Sequence, residues 1–360
     1  MRQRLASLLL LAASLWAQAN GRLQIHFIDA GQGDAALLIS PLGETVLFDN
    51  GARGKCDKPR SYLSRLGVRR IDYQVVSHYH ADHIGCTVEV LGRFPLQKQS
   101  LDRGESYDSR LFDDYLQTVG SKRRTARLGN TITLDAGSPN PVVLRVAGVN
   151  GADVETTNEN DLSLVVKASF GGFDAVFGGD LSGFREGDYD DIETPIAPEV
   201  GQVEVYKVHH HGSKYSSNET WLKTIRPRVG VISAGEGNSY RHPTAECLRR
   251  LHQFGVKTYW TSEGNGADPD ETFDVVGGDI VIDIGPGEND FTVTYDGGRD
   301  RYTNWGGSGG APSAPSFKWS QRSPVYHFAN CRYAAMITEE NLRQSATPPP
   351  DKTLHVDCPK

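Results

Sequence analysis

The distribution of apolar residues predicts a β-rich domain in the first part of the chain. Residues 23–29, Leu-Gln-Ile-His-Phe-Ile-Asp, alternate between apolar and polar as a half-buried strand requires. Apolar runs at residues 35–39 and 45–49 follow, each after a short turn that contains Gly or Pro. Short turns of this kind join neighbouring strands, so the three runs predict an antiparallel meander. Residues 71–76 form a β-branched run typical of a buried strand.

Helical and extended patterns then alternate as far as residue 295. The apolar spacing predicts helices at residues 57–66, 217–225 and 244–254. It predicts further strands at residues 161–169, 173–177, 203–208, 229–233, 256–261, 279–284 and 291–295. Residues 100–130 are charged and weakly periodic, which predicts a helix and loops. This alternation is typical of sheets that are covered by helices.

Four potential metal ligands lie directly after the strand at residues 71–76. They are His78, His80, Asp82 and His83. Because side chains two apart on an extended backbone project from the same face, His78 and His80 point the same way. Three imidazoles and one carboxylate at a strand end suit a borderline ion such as zinc. The sequence therefore predicts a metal site here.

This run matches the His-x-His-x-Asp-His signature, and the chain resembles the metallo-β-lactamase superfamily. The resemblance implies an α/β (α+β) fold, a four-layer αββα sandwich with its loops at one metal-bearing edge. Taken singly, Asp29, Asp34 and Asp49 are ordinary turn acids. The segment Phe-Ile-Asp-Ala-Gly-Gln-Gly-Asp-Ala at residues 27–35, however, is similar to a motif of the ComEC-type competence (DNA-uptake) branch and its secreted stand-alone relatives.

Two later segments extend the predicted site. A Gly-Gly turn at the end of a strand delivers Asp180, which is well placed to bridge two metal ions. The sequence His-His-Gly-Ser that begins at His210 resembles a motif of the competence-type branch. Adjacent side chains at a strand end point different ways, so one of the two should bind metal and the other should face the substrate. We favour His210 as the ligand. His242 lies in a turn similar to the branch's Asn-x-Tyr-Gly-His-Pro, with Arg241 in place of the glycine.

The chain departs from the superfamily pattern at one of the two predicted metal sites, here called the first. Many superfamily members supply a further histidine before the bridging aspartate, but none occurs here between His83 and His209. The segment Glu-Asn-Asp-Leu-Ser at residues 159–163 stands in its place. An oxygen-rich first site makes manganese an alternative there to zinc.

The resemblance implies a hydrolase with two zinc ions and a water activated between them. The predicted metal ligands are His78, His80, Asp82, His83, Asp180 and His210. The predicted catalytic groups are Asp82, His211 and His242, and the predicted substrate-binding groups are Lys207, Ser213, Asn160 and Asp161. We expect a phosphodiesterase or nuclease. Two alternatives stay open: a β-lactamase, lactonase or phosphocholine esterase on the same site, or a binding module with a structural metal.

Charge and the N-terminus bear on partners and location. The formal net charge of −7 argues against broad attraction to nucleic acid, although a local basic groove remains compatible with it. Arg2 and Arg4, a short apolar stretch and Ala-Gln-Ala at residues 17–19 predict a cleaved signal peptide over residues 1–19. The stretch is too short for a stable membrane anchor. We expect a secreted or periplasmic protein with a phosphodiester substrate, nucleic acid among the candidates, and no obligate protein partner is indicated.

The five cysteines and the C-terminal segment complete the predictions. An odd count in an exported chain leaves at least one thiol unpaired, and Cys247, in a helical pattern, is our choice. Cys56 is paired provisionally with Cys86. The predicted hydrolase domain covers residues 20–298, a Gly/Ser/Pro linker residues 299–322, and a small tail module residues 323–360. The tail resembles the metal-binding module of the Ada repair protein. Either a zinc site or a disulfide fits its candidate residues, which are His327, Cys331, His355 and Cys358.

Overall fold

The computed structural model describes residues 19–305, 317–320, 323–328, 337–338, 341–345 and 352–354. The chain divides into one unit that ends at Gly306 and a second that begins at Gly307. The predicted signal sequence, up to residue 18, lies outside the described residues. Among the described helices, none has the length and apolar character needed to span a membrane.

The first sheet of the larger unit has nine strands. These are β1 (Leu23–Phe27), β2 (Ala36–Ile39), β3 (Thr45–Phe48), β4 (Ile71–Val75), β5 (Leu96–Asp102), β6 (Arg123–Thr125), β17 (Ile280–Ile284), β18 (Asp290–Tyr295) and β19 (Gly298–Thr303). Their order is β19-β18-β17-β1-β2-β3-β4-β5-β6. The pairs from β19 to β3 are antiparallel, which confirms the predicted meander, and those from β3 to β6 are parallel.

The second sheet has eight strands. These are β7 (Thr131–Leu134), β8 (Val142–Gly148), β9 (Val165–Phe170), β10 (Phe173–Phe177), β13 (Val205–Lys207), β14 (Val229–Ile232), β15 (Lys257–Trp260) and β16 (Asp274–Val276). Their order is β16-β15-β14-β13-β10-β9-β8-β7. A separate two-stranded hairpin consists of β11 (Gly183–Glu186) and β12 (Tyr189–Asp191).

Six helices cover the outer faces of the two sheets. They are α1 (Asp57–Arg65), α2 (Thr87–Arg93), α3 (Arg110–Val119), α4 (Glu193–Val200), α5 (Glu219–Ile225) and α6 (Ala245–Gln253). Short polar side chains fix where three of them begin, because each accepts a hydrogen bond from an otherwise unpaired backbone N–H. Ser109 caps α3, Asn218 caps α5 and Thr244 caps α6.

Three apolar layers hold these elements together. Between the sheets, Phe177 stacks on Phe48 and Phe27, at ring-centroid distances of 4.0 and 5.8 Å. A second layer joins the outer face of the first sheet to α1, α2 and α3, and a third joins the second sheet to α4, α5 and α6. Because strand side chains alternate between the faces, one short strand supplies two layers: Leu38 faces the other sheet and Leu37 faces the helices. The predicted αββα sandwich is confirmed.

The larger unit extends past its predicted end at residue 298. Strand β19 continues to Thr303 and pairs with β18 along its whole length. The backbone N–H of Trp305 then donates to the Glu204 carboxylate at 2.9 Å. The sequence analysis did not predict β19 because its residues are mostly polar. None of its side chains is fully buried, and the strand is stabilised largely by backbone pairing with β18.

In the smaller unit, four short strands form a sheet of order β22-β20-β21-β23. They are β20 (Phe317–Ser320), β21 (Val325–Phe328), β22 (Leu342–Ser345) and β23 (Thr353–Leu354). Strand β20 lies within the predicted linker. His327 is buried in the described part of the unit. Cys331, His355 and Cys358 lie outside the described residues, so the zinc and disulfide interpretations of the tail both stay predictions.

The cysteine predictions for the larger unit are confirmed. Cys56 and Cys86 form a disulfide with an S–S distance of 2.09 Å. Cys247 is buried in α6 as a free thiol, and burial raises its pKa to about 11. The disulfide joins the N-terminal end of α1 to the residue before α2.

A buried histidine in β1 predicts a loss of stability in mild acid. The ring of His26 lies against Tyr62, with 2.8 Å between its Nδ1 and the phenol oxygen. Burial lowers its pKa from 6.5 to about 4. Because the folded form resists protonation, its contribution is complete above pH 6.5 and is lost as the pH falls towards 4.

We therefore expect the free energy of unfolding to drop by about 2 kcal/mol between pH 7.5 and pH 5 through this residue alone. Urea unfolding of wild type and His26→Gln at both pH values isolates the drop that is due to His26, since all other titrating groups are common to both proteins. An identical pH dependence in the two proteins would contradict this prediction.

Candidate active site

The loops that follow several strands of both sheets meet at one edge of the sandwich. From the first sheet come Asp34 before β2, Asp49 after β3 and residues 77–83 after β4. From the second sheet come Asp180 after β10 and a 3-10 turn, His209–Gly212, after β13. The close approach depends on Gly33, whose φ is +146°; a Cβ there would lie 2.3 Å from the Asp82 carbonyl oxygen. The packing therefore brings distant sequence motifs into one site.

Hydrogen bonds to the Asp49 carboxylate fix the loop that carries the histidine motif. One oxygen of this buried carboxylate accepts from the Ser77 backbone N–H at 2.8 Å, and the other accepts from the Ser77 hydroxyl at 2.7 Å. His83 donates to the same carboxylate through Nδ1, at 2.9 Å. This contact fixes the ring so that Nε2 points into the site, as is usual for a metal-binding histidine.

Four side chains there form a compact set of potential metal ligands. Ligand atoms of Asp82, His83, Asp180 and His211 all lie within 4.8 Å of one another. Asp180 Oδ1 is 3.3 Å from His83 Nε2 and 3.5 Å from His211 Nε2. These three buried atoms lack a hydrogen-bond partner among the described residues. Two imidazole nitrogens and two carboxylate oxygens that converge, three of the four without a hydrogen-bond partner, fit a divalent cation.

The electrostatics of this cluster favour a positive charge. Burial opposes protonation of His211, but the carboxylates of Asp180 and Asp34 outweigh it and raise the pKa of His211 to about 10. Burial likewise opposes protonation of His83, and Asp180 and Asp82 raise its pKa well above the usual value. The carboxylates thus stabilise a cation between them.

The other oxygen of Asp180 faces a second group of histidines. Asp180 Oδ2 is 4.0 Å from His78 Nε2 and 3.9 Å from His210 Nε2. His80 joins this group, with 3.0 Å between its Nδ1 and His78 Nε2. Asp180 therefore lies between two sets of imidazoles, as expected for the predicted bridging residue.

Comparison with known proteins settles the family. The sequence profile described as "Metallo-beta-lactamase superfamily" matches residues 28–236, more than half of the chain. The chain belongs to the metallo-β-lactamase superfamily. The family confirms the resemblance that the histidine motif predicted.

The chain is similar to three curated proteins, two of which are named for competence or recombination. The chain is 24% identical to ComE operon protein 3 of Bacillus subtilis over 67% of its length and 32% of that protein's. It is 28% identical to Recombination protein 2 of Haemophilus influenzae, over 64% of the chain and 26% of that protein. It is 26% identical to Competence protein ComA of Neisseria gonorrhoeae, over 64% of the chain and 29% of that protein. The chain spans about a third or less of the length of each of these proteins. The predicted membership of the ComEC-type branch is confirmed.

Among solved structures, the metallo-β-lactamase fold protein YhfI of Bacillus subtilis is similar to the chain. The sequence identity is 12%, and the match covers 69% of this chain and 99% of that protein, with a TM-score of 0.42.

The structure changes the predicted role of His211. The sequence favoured His211 as a substrate-facing group, whereas the structure places it in the four-ligand cluster. Strand alternation does not apply here, because β13 ends at Lys207 and both His210 and His211 have left-handed backbones, with φ of 51° and 53°. His211 also donates through Nδ1 to the Ser233 carbonyl at 2.9 Å, which directs Nε2 towards Asp180 and Asp82.

Two of the predicted substrate-binding groups have structural partners. Lys207 is buried, and its ammonium lies 2.8 Å from the Asp34 carboxylate and donates to the Val208 carbonyl. Asp161 accepts from the Thr156 hydroxyl and from the Asp190 backbone N–H, at 3.0 and 2.8 Å. The ion pair holds Lys207 inside the fold, whereas Asp161 keeps one oxygen, Oδ1, without a hydrogen-bond partner among the described residues. Substrate binding by Lys207 and Asp161 stays a prediction.

The other three predicted groups, Asn160, Ser213 and His242, are also buried. Asn160 is buried and its Oδ1 lacks a hydrogen-bond partner among the described residues. Ser213 is also buried, and its hydroxyl accepts from the Tyr215 backbone N–H at 3.3 Å. His242 lies 5.3 Å from His210 between ring centroids, and burial together with the nearby His211 charge lowers its pKa to about 3. A neutral imidazole therefore lies at the rim of the site.

Several supporting residues were not assigned a site role from the sequence. Asp49 and Asp34 were interpreted singly as turn acids, although Asp34 belonged to the competence-type motif. Glu159, in the segment that replaces the missing histidine, accepts from the Tyr79 backbone N–H at 2.8 Å. It also pairs with the buried Arg103 at 2.6 Å. The acid thus fixes the backbone between His78 and His80 rather than acting as a ligand in their group.

His209 lies outside the competence-type match, and the structure gives it a structural role. Its Nδ1 is 2.7 Å from the carboxylate of Glu193, and both side chains are fully buried. The same carboxylate accepts from the backbone N–H groups of Ser217 and Asn218. Glu193 therefore anchors the turn that carries His210 and His211.

Proposed function

We propose that this protein is an exported phosphodiesterase or nuclease that uses two divalent ions, zinc at both positions or manganese at the first. The observation that carries the proposal is Asp180, whose two oxygens face two separate groups of histidines. His83 and His211, with Asp82, would hold one ion. His78 and His80, with His210, would hold the other.

When bound, such ions lower the pKa of water and stabilise negative charge on the attacked centre and the leaving oxygen. The remaining work falls to the chain itself. Asp49 and the Ser233 carbonyl keep the rings of His83 and His211 oriented towards the site. The neutral His242 ring, at the rim, is positioned to donate a hydrogen bond to a phosphoryl oxygen.

Two further observations support the choice of substrate and location. The relatives are named for competence and recombination, processes that involve DNA, and this favours a phosphodiester over a β-lactam. The Cys56–Cys86 disulfide suits an oxidising compartment, in agreement with the N-terminal signal pattern. Export and nucleic-acid chemistry are therefore parts of one proposal.

The test compares three substrates on the purified mature chain, loaded with zinc or with manganese. They are single-stranded DNA, bis-p-nitrophenyl phosphate and nitrocefin. We expect cleavage of the diesters, and we expect His242→Ala to lower kcat/KM for them by roughly 10² while bound metal is unchanged. Leu42→Ala, an exposed substitution beyond the far end of β2, is the matched control.

Other outcomes identify the alternatives. Turnover of nitrocefin, a lactone or a phosphocholine ester without diester cleavage would assign the site to those bonds. Stable metal binding without turnover of any of these substrates would indicate a binding module with a structural metal. Either result would overturn the proposed activity.

A further inference from the structure

We infer that the mouth of the site is a binding platform for unpaired nucleotides, formed by tyrosines with cations beside them. This inference rests on the proposed function and names its substrate class. None of the residues that form the platform is among the predicted site residues. Three tyrosines contact histidine rings of the site, and a fourth stacks on one of them. The three are Tyr107, Tyr189 and Tyr240, and the fourth is Tyr215.

The first part of the platform is a stacked pair beside His210. Tyr189, on the β11–β12 hairpin, stacks on Tyr215 with ring centroids 4.5 Å apart and an interplanar angle of 25°. The Tyr189 ring is 5.8 Å from the His210 ring. Lys214 lies over Tyr215, with its ammonium 4.5 Å from the ring centroid. Both tyrosines are partly exposed, and Lys214 is exposed and pairs with the exposed Glu186 carboxylate at 3.1 Å. One aromatic surface and one surface cation therefore lie next to the site.

The second part lies next to His242, whose ring is 5.3 Å from that of His210. Tyr240 is 66% exposed, the highest exposure among the large apolar side chains in the described residues. Its ring is nearly parallel to that of His242, at 22° and 5.9 Å between centroids. Arg241 follows directly and is exposed, and no described carboxylate forms an ion pair with it. An aromatic ring and a cation are again adjacent, and here the cation has no described carboxylate as a partner.

The backbone at Arg241 is strained. Its φ is +60°, a left-handed conformation that is unfavourable for a non-glycine residue. The competence-type motif has glycine at this position. Asn238 holds the turn by accepting from the His242 backbone N–H at 3.0 Å and donating to the His242 carbonyl at 2.8 Å. This chain therefore carries an arginine at the rim despite a conformational cost.

The repeated pairing of a ring with a cation matches the alternation of base and phosphate in a nucleic-acid strand. Stacking of a base on an aromatic side chain strengthens binding and does not depend on base identity. Duplex bases are already stacked inside the helix, so an exposed tyrosine favours single strands. A neutral polysaccharide would use the rings but not the cations. Because the net charge is −7, we expect local contacts rather than a broad electrostatic field.

The experiment measures kcat/KM on three substrates with the metal-loaded mature chain. They are a single-stranded oligonucleotide, the same strand with abasic positions flanking the scissile bond, and bis-p-nitrophenyl phosphate. We expect the intact strand to be preferred over the abasic strand by roughly tenfold or more. Tyr240→Ala and Tyr189→Ala should reduce that preference mainly through KM. The matched Tyr240→Phe and Tyr189→Phe variants, which keep the rings, should retain it, as should Leu42→Ala.

Arg241→Gly gives two readouts of opposite sign. Relief of the left-handed strain should raise Tm, while loss of one phosphate contact should raise KM for the strand and reduce its salt slope by about 0.7. A variant that is more stable yet binds more weakly cannot be explained by misfolding.

The results separate this inference from the proposed function. If no diester is cleaved, the proposed function fails. If diesters are cleaved but intact and abasic strands react equally well, the function stands and the platform is refuted. Preferential binding of a neutral polysaccharide, lost in the Tyr→Ala variants and insensitive to Arg241→Gly, would also refute it.

Discussion

Replacement of Asp180 by alanine is expected to abolish hydrolysis and to remove bound metal. Asp180 is the one described side chain whose oxygens face both groups of histidines, at 3.3–3.5 Å on one side and 3.9–4.0 Å on the other. Its loss removes a shared ligand and the negative charge that holds the cations. We expect kcat/KM for a diester to fall by roughly 10³ or more. Elemental analysis should show fewer metal ions per chain.

The same strand supplies a matched control for this variant. Asp174, near the other end of β10, pairs with Lys167 at 2.9 Å on the surface. Asp174→Ala should leave metal content and turnover unchanged. Comparison of His211→Ala with His210→Ala then tests the two groups separately, since each should lose a different ion. Full metal content and wild-type turnover in Asp180→Ala would refute the assignment of the site.

Removal of the Cys56–Cys86 disulfide is expected to give the largest loss of stability. The disulfide closes a loop with a sequence separation of 30 residues. In the chain-entropy account, such a cross-link contributes about 3–4 kcal/mol by restricting the unfolded chain. We expect the double variant Cys56→Ala/Cys86→Ala to lose this amount in urea unfolding. Its affinity for metal should also fall, because Cys86 lies three residues after His83 and ties the ligand loop to α1.

A third cysteine provides the control. Cys247 is buried in α6 and forms no disulfide. Cys247→Ala should lose only a packing contribution of about 1 kcal/mol and should bind metal as the wild type does. An equal loss in the two proteins would mean that packing, and not the cross-link, accounts for the effect of the disulfide.

The sequence predictions were more accurate for residues that are close together in sequence than for contacts between distant segments. His78, His80, Asp82 and His83 lie within one short loop, so the local backbone alone brings them together. The disulfide and the free Cys247 were also predicted correctly. The ion pair of Lys207 could not be predicted, because its partner, Asp34, comes from the other sheet. Nothing near Lys207 in the sequence indicates a buried carboxylate.

By itself, the sequence determined most of the strands and the ligand loop, because alternating apolar residues and local motifs specify strands and their ends. The αββα sandwich followed from the resemblance that the histidine motif carries, and the bridging role of Asp180 stays a prediction. Only the tertiary structure decided which histidine of the adjacent pair joins the four-ligand cluster. The left-handed backbone at His210 and His211 overrides strand alternation, and the Ser233 carbonyl, on the neighbouring strand end, orients the His211 ring. Both depend on contacts between segments that are distant in sequence, which a pattern of neighbours does not encode.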